Sequence, residues 1–299
     1  MEKFLICVDD TDDVTKRTST GEITEKIGKR LEMEGGRIID GISRHQLLLS
    51  EAVRYTSHNS SMCLEMEFEE IDPERIVEVC EEIIRHEMAS TADPGLAVCS
   101  LRELADPEPL IVFGVEAKKE VKRKQEAYQL AERTDGVFLE ELGGSGDGVI
   151  GALAGIGLRL SRSDGSLRGK KAADLEGKSV SADELCRRTG AEAVVTSDGR
   201  TIGGNESVYV SKFVKLMYFN GRKCIFVIYE NGRYEVMWHH EEREKILDDK
   251  LYPACENFES DNDEEECVIP DGMKSCFNCL YRRWSANGFE CMLPEAKII

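Results

Sequence analysis

Phe4-Leu5-Ile6-Cys7-Val8-Asp9-Asp10-Thr11-Asp12-Asp13 is the stretch that frames the chain. Its first five residues are uniformly apolar and too few for an ordinary helix, so they read as a strand buried on both faces. Four acids within the next five residues end that strand. Open α/β sheets place ligands just past the carboxyl ends of their strands. Carboxylates crowded there repel one another unless a proton or a cation separates them, and Mg²⁺ carried by a nucleotide phosphate is the usual solution. Asp9, Asp10 and Asp12 are therefore the candidate metal-binding and catalytic residues, with Thr11 beside them as a nucleotide contact. One carboxylate is also available as a general base, and a solvated acidic turn is the plain alternative.

Beyond the loop, Ile23, Ile27 and Leu31 recur at helical spacing until Gly35-Gly36 stops the pattern. Ser19 and Glu22 have the spacing of a capping box at the start of this helix. A helix N-terminus also favours anions, so Thr18, Ser19 and Thr20 are candidates to hold or accept a phosphoryl group.

Residues 37–68 read as extended segments around the polar insert Arg54-Tyr55-Thr56-Ser57-His58-Asn59, and the alternation from Ser61 to Phe68 predicts a half-exposed strand. Pro73 opens a helix carrying Ile76, Val79, Cys80, Ile83 and Ile84. Asp93-Pro94-Gly95 is a turn signal before the apolar strand Leu96 to Leu101. A basic amphipathic helix is predicted from about Glu116 to Glu132, its lysines either solvated or facing RNA.

Val137 to Leu142 reads as a strand, and Gly143 to Gly148 turn it into the apolar helix Val149 to Leu160. Such a turn lets successive amides approach an anion, which makes Gly144, Ser145, Gly146, Asp147 and Gly148 candidate phosphate contacts. No Gly-Lys-Ser/Thr follows, so this is not a Walker loop. Gly146, Gly148 and Gly151 satisfy G-x-G-x-x-G, but no clean second strand ends in an acid about 20 residues on, as ribose recognition needs. Close helix packing through Gly151 and Gly155 is the alternative.

Composition turns polar and lysine-rich after Arg162, which predicts a boundary. Strands at Val208 to Val214, Lys223 to Tyr229 and Tyr234 to Trp238, with Asn220-Gly221 and Asn231-Gly232 turns, then read as a small antiparallel β module. The expected divisions are 1–165, 166–250 and 251–299. In the last, Cys255 before the acidic stretch Glu256 to Glu266 and Cys267, Cys276, Cys279 and Cys291 after it supply thiolates for a structural Zn²⁺ knob, with an iron–sulfur cluster as the alternative. Arg282, Arg283 and Trp284 either stack on a base or pack this knob, while His239 and His240 read as surface residues.

The other cysteines (Cys7, Cys63, Cys80, Cys99, Cys186, Cys224) lie in apolar segments, as buried thiols of a reducing, cytoplasmic compartment do. No apolar run is long enough for a membrane span. A formal charge of −19 excludes a broadly basic nucleic-acid surface, so any RNA contact is local.

With those residues in view, the first 160 or so resemble the archaeal 2-agmatinylcytidine synthetase family, which uses ATP to activate a cytidine of an isoleucine tRNA for attack by agmatine. The resemblance rests on the strand into Asp9-Asp10-Thr11-Asp12, the Ser/Thr cluster after it, Thr56 to Asn59, Asp93-Pro94-Gly95-Leu96, and Gly144 through Gly157. It implies an α+β/α/β chain with a kinase-like catalytic α/β domain including a ferredoxin-like part, an OB-like β module and a zinc module. It further implies Mg·ATP at the acidic loop and at Gly144 to Gly148, with Ser19 in the place of the family's phosphorylated threonine. The family's glycine motif usually reads Gly-Asn-Gly-Arg-Gly, so Ser145 and Asp147 replace an amide and a cation. That departure, with the compressed β module, suits a paralogue with another substrate. The expected activity is an ATP- and Mg²⁺-dependent phosphoryl- or nucleotidyl-activating transferase or ligase acting on RNA such as tRNA. A non-catalytic nucleotide- or RNA-binding regulatory protein with a structural zinc module is the competing expectation.

Overall fold

The computed structural model describes residues 1–13, 18–55, 58–237, 254–261, 274–276, 279–285 and 288–292. Thr56, Ser57, Trp238, His239, His240 and Cys267 lie outside the described residues, as does the side chain of Trp284. The chain forms two compact units, residues 1–160 with 250–299, and residues 161–249. No helix among the described residues is long and apolar enough to cross a membrane.

In the first unit β1 (Glu2–Asp9), α1 (Thr20–Glu32), β2 (Arg37–Gln46), β3 (Ser60–Phe68), α2 (Pro73–Glu87) and β4 (Gly95–Ser100) follow as βαββαβ. Their strands pair antiparallel in the order β4-β1-β3-β2, which is the ferredoxin-like arrangement. Then come α3 (Glu108–Ala117) and α4 (Lys124–Ala131), followed by β5 (Val137–Glu141), which extends the sheet beyond β4, and α5 (Gly148–Ser161).

β1 is central and buried because its side chains serve two cores in alternation. Phe4, Ile6 and Val8 pack with Ile23, Ile27 and Leu31 of α1 and with Ile76, Val79 and Ile84 of α2. Leu5 and Cys7 pack with Leu110 and Phe113 of α3, Leu130 of α4 and Leu153 and Ile156 of α5. Helices on both faces thus explain the continuous apolar run in a sheet that is antiparallel.

β3 corrects the half-exposed reading, since every residue from Ser61 to Phe68 is buried. Its two glutamates face charge: Glu65 lies 3.4 Å from Arg159 and 3.7 Å from Lys3, and Glu67 pairs with Arg37. The single basic helix over 116–132 is also corrected, because α3 ends at Ala117 and α4 begins only at Lys124. Lys122 folds inward between them, its ammonium 2.6 Å from both Glu116 and Glu120 and 5.7 Å from the centre of the Phe113 ring. That bridge turns the chain where helical propensity alone would carry it on.

The second unit contains β6 (Ser166–Leu167), β7 (Lys178–Ser181), α6 (Ala182–Thr189), β8 (Ala193–Thr196), β9 (Ser207–Val210), β10 (Met217–Phe219), β11 (Arg222–Glu230) and β12 (Arg233–Val236). Asn220-Gly221 and Asn231-Gly232 turn the β10–β11 and β11–β12 hairpins with positive φ at all four residues (48°, 79°, 51° and 80°), as type I′ turns require. The module is not purely antiparallel, however: β8 runs parallel to β11 and β12 parallel to β9. α6 makes the β8 crossover, capped by Ser181, whose hydroxyl accepts from the Glu184 N–H, and ended by Gly190 at φ 78°. In the tail β13 (Arg282–Ser285) and β14 (Gly288–Cys291) form an antiparallel hairpin.

Candidate functional site

Asp9 closes β1, and its carboxylate occupies room that α5 leaves by carrying glycine, since a Cβ on Gly151 would stand 1.7 Å from its Oδ2. Asp10 takes a left-handed conformation, φ 51°, which Asp tolerates better than most residues. Thr11 is wholly buried; its hydroxyl donates to Thr20 Oγ1 at 3.0 Å, and its carbonyl accepts from the Ala89 N–H at 2.9 Å. Thr11 therefore braces the loop. Asp12 accepts the Thr20 N–H at 3.3 Å, and Asp13 accepts the hydroxyl of Thr91.

Burial, reinforced by the charge of Asp12, lifts Asp9 to about 7, against the pull of a backbone hydrogen bond from Asp10. Burial first, and then Asp9, Asp12 and Asp93, lift Asp10 to about 8, with Arg54 opposing. Near neutral pH these carboxylates compete for protons that a cation would displace.

The capping box on α1 is present. Ser19 N–H donates to Glu22 Oε2 at 2.8 Å, and Glu22 N–H donates to Ser19 Oγ at 3.3 Å. Capping does not remove Ser19 from the site, because Ser19 and Thr20 line a cavity of about 430 Å³ together with Asp9, Asp10, Asp12 and Asp13. Asp147, Gly148 and Gly151 form part of its lining, as do Glu120 to Arg123 of the α3–α4 connection and Lys124 and Gln125 at the start of α4. Asp261, Leu280 and Met292 of the tail line it as well. Thr11, Thr18, Gly144, Ser145 and Gly146 do not.

The glycine turn is committed elsewhere. Gly144 and Gly146 have φ of 59° and 78°, and the Ser145 N–H donates to the carboxylate of Asp93. A Cβ on Gly144 would overlap Asp93 Oδ1 at 1.5 Å, so the turn is wrapped around that carboxylate. Asp93 is also 3.2 Å from Arg54 Nη1. Lys124 Nζ donates to Glu141 Oε2 and to the Ser145 carbonyl, each at 2.7 Å, while the Ser145 hydroxyl donates to Asp147 Oδ2 at 3.0 Å. Gly155 packs against Cys7 and Ser61, and Gly95 against the backbone of Gly148. These glycines serve close approach, the packing alternative to a dinucleotide motif. Asp93 and Arg54 thus join the site although the sequence marked them only as a turn and a polar insert; their signal is spatial.

In the tail, burial and then the facing thiols of Cys279, Cys255 and Cys291 push the Cys276 thiol up. Even so, among the described residues no three His, Cys, Asp or Glu side chains stand close enough to share a metal ion, here or at the acidic loop. Arg282 is buried against Asp261 at 2.8 Å and the Cys279 carbonyl at 3.0 Å. The Arg283 guanidinium lies 4.2 Å from the Tyr55 ring centre and donates to the Val53 carbonyl at 3.2 Å. Both arginines pack the tail.

No family model and no curated protein matches the chain. The solved structures to which it is similar include tRNA enzymes. Apo TiaS, described as an isoleucine-tRNA agmatidine synthetase, aligns with 52% of this chain and 35% of its own at 23% identity, with a TM-score of 0.42. The complex of TiaS with its isoleucine tRNA and ATP aligns over 62% and 43% at 22% identity and a TM-score of 0.46. A tRNA fluorescent labeling enzyme gives 61% and 42%, 23% identity and a TM-score of 0.45. The chain thus spans less than half the length of the structures it matches.

Proposed function

We propose that the cavity binds ATP with Mg²⁺ and that the chain is an ATP-dependent transferase or ligase that activates an RNA, a tRNA being the preferred class. The observation that carries this reading is the pair Asp9 and Asp10 lining an open cavity, lifted to about 7 and 8 by burial first and then by the charge of neighbouring carboxylates, Asp12 for both. Mg²⁺ keeps several waters and takes one or two carboxylates plus phosphate oxygens, so this pair fits it without a three-carboxylate cage. Asp9, Asp10 and Asp12 would hold the metal, which neutralises charge on the transferring phosphate. The hydroxyls of Ser19 and Thr20, at the N-terminus of α1, would take phosphate oxygens, and Ser19 is the candidate phosphoryl acceptor. Wild-type protein with Mg²⁺ is expected to turn over ATP, more quickly with its RNA acceptor, and Asp9→Asn to lose that turnover. Normal hydrolysis by the variant would sink the assignment.

For the tail, thiolate is the right donor for zinc, and Cys255, Cys276, Cys279 and Cys291, with Cys267, are the proposed ligands of a structural Zn²⁺. Metal analysis of the purified chain is expected to find zinc; iron would favour a cluster, and metal-free folded protein would reject the ligands. Residues 161–249 would serve as an OB-like RNA-contacting module. One observation favours the second reading, a nucleotide or RNA sensor: the glycine turn already holds Asp93, and Asp147 adds negative charge at the cavity. A sensor would bind ATP without turning it over.

A further inference from the structure

We infer that Arg123 is the residue through which the cavity grips the terminal phosphate of its nucleotide, an assignment that rests on the nucleotide reading above. The glycine turn is the obvious candidate for that role, yet its Ser145 amide is bonded to Asp93 and its curve encloses that carboxylate. A phosphate could enter the turn only by expelling a buried anion. The charge has to come from the cavity's other walls.

Among the described residues, the lysines and arginines lining the cavity are Arg54, Lys122, Arg123 and Lys124. Three are committed. Arg54 pairs with Asp93 at 3.2 Å; Lys122, its side chain only 7% exposed, bridges Glu116 and Glu120 at 2.6 Å; Lys124 is bound to Glu141 and the Ser145 carbonyl at 2.7 Å. Arg123 sits between the last two, is exposed, and lines the same cavity as Asp9 and Asp10. Its backbone is fixed at the start of α4, where its N–H donates to Glu126 Oε2 at 2.9 Å. The residue is therefore positioned by its main chain while its guanidinium remains available to a ligand. A planar fork of donors is the side chain suited to bidentate contact with phosphate oxygens.

Calorimetric titration of Mg·ATP, Mg·ADP and adenosine into wild type, Arg123→Ala and Arg123→Lys tests this. Loss of one charge-assisted contact is expected to weaken ATP binding by about tenfold or more in Arg123→Ala. Adenosine binding and the thermal midpoint should be unchanged, and Arg123→Lys should recover part of the loss. Equal ATP affinity in Arg123→Ala and wild type would overturn the assignment while leaving the nucleotide reading intact, as would an equal loss of adenosine. A wild type that binds no nucleotide would overturn both.

Discussion

At the scale of single residues, Asp9 and Asp10 are acids kept near the end of a buried strand at a cost that a ligand would relieve. Both titrate above their ordinary range, so the folded state holds more protons than the unfolded state between about pH 4 and pH 8. Their contribution to stability is complete below about pH 4 and is lost as pH rises through about 7 and then about 8. In chelator, the thermal midpoint of the wild type should therefore fall over this window, and Asp9→Asn should flatten the fall and melt higher than wild type at pH 8. Added Mg²⁺ should rescue the wild type at pH 8 and not the variant. A wild-type midpoint independent of pH and Mg²⁺ would contradict the site electrostatics. The acidic cluster was legible in the sequence because its members are neighbours in the chain. Asp93 and Arg54 were not, because 39 residues separate them and only folding brings both to Asp10.

At the scale of elements, the turn between β5 and α5 and the break between α3 and α4 act together on the cavity. Asp93, 2% exposed, is the post around which the glycine turn is wound. Asp93→Ala would leave the Ser145 amide without its acceptor and Arg54 without its pair, which is expected to cost about 2 kcal/mol or more in chemical denaturation. An unchanged midpoint would mean that the turn holds its shape without that carboxylate. Local chemistry made several elements readable: the capping box of α1, the Asn-Gly hairpins and the apolar run of β1 are all decided within a few residues. The break after Ala117 was hidden because Lys122 reads as a helix-forming, solvated residue until its two glutamates and the Phe113 ring are seen around it. β3 misled for a related reason, since Glu65 and Glu67 look solvent-facing in sequence and are buried beside Arg159, Lys3 and Arg37.

At the scale of the whole molecule, the ferredoxin-like order of the first unit carries the acidic loop, and the tail of the same unit adds Asp261, Leu280 and Met292 to the cavity lining. Arg283 reaches Val53 across 230 residues of chain, a contact that no local pattern announces. The formal charge of −19 remains the strongest constraint on partners: an RNA substrate would be held by a few local contacts, with a correspondingly shallow dependence on salt. The central claim is that this chain uses its acidic loop to hold a magnesium nucleotide. Calorimetric titration of a non-hydrolysable ATP analogue into wild type and Asp9→Asn, each with Mg²⁺ and with chelator, tests it most directly. The account predicts saturable one-site binding by the wild type in Mg²⁺ alone, weakened about tenfold or more by chelator or by the substitution; equal affinity under all four conditions would contradict it.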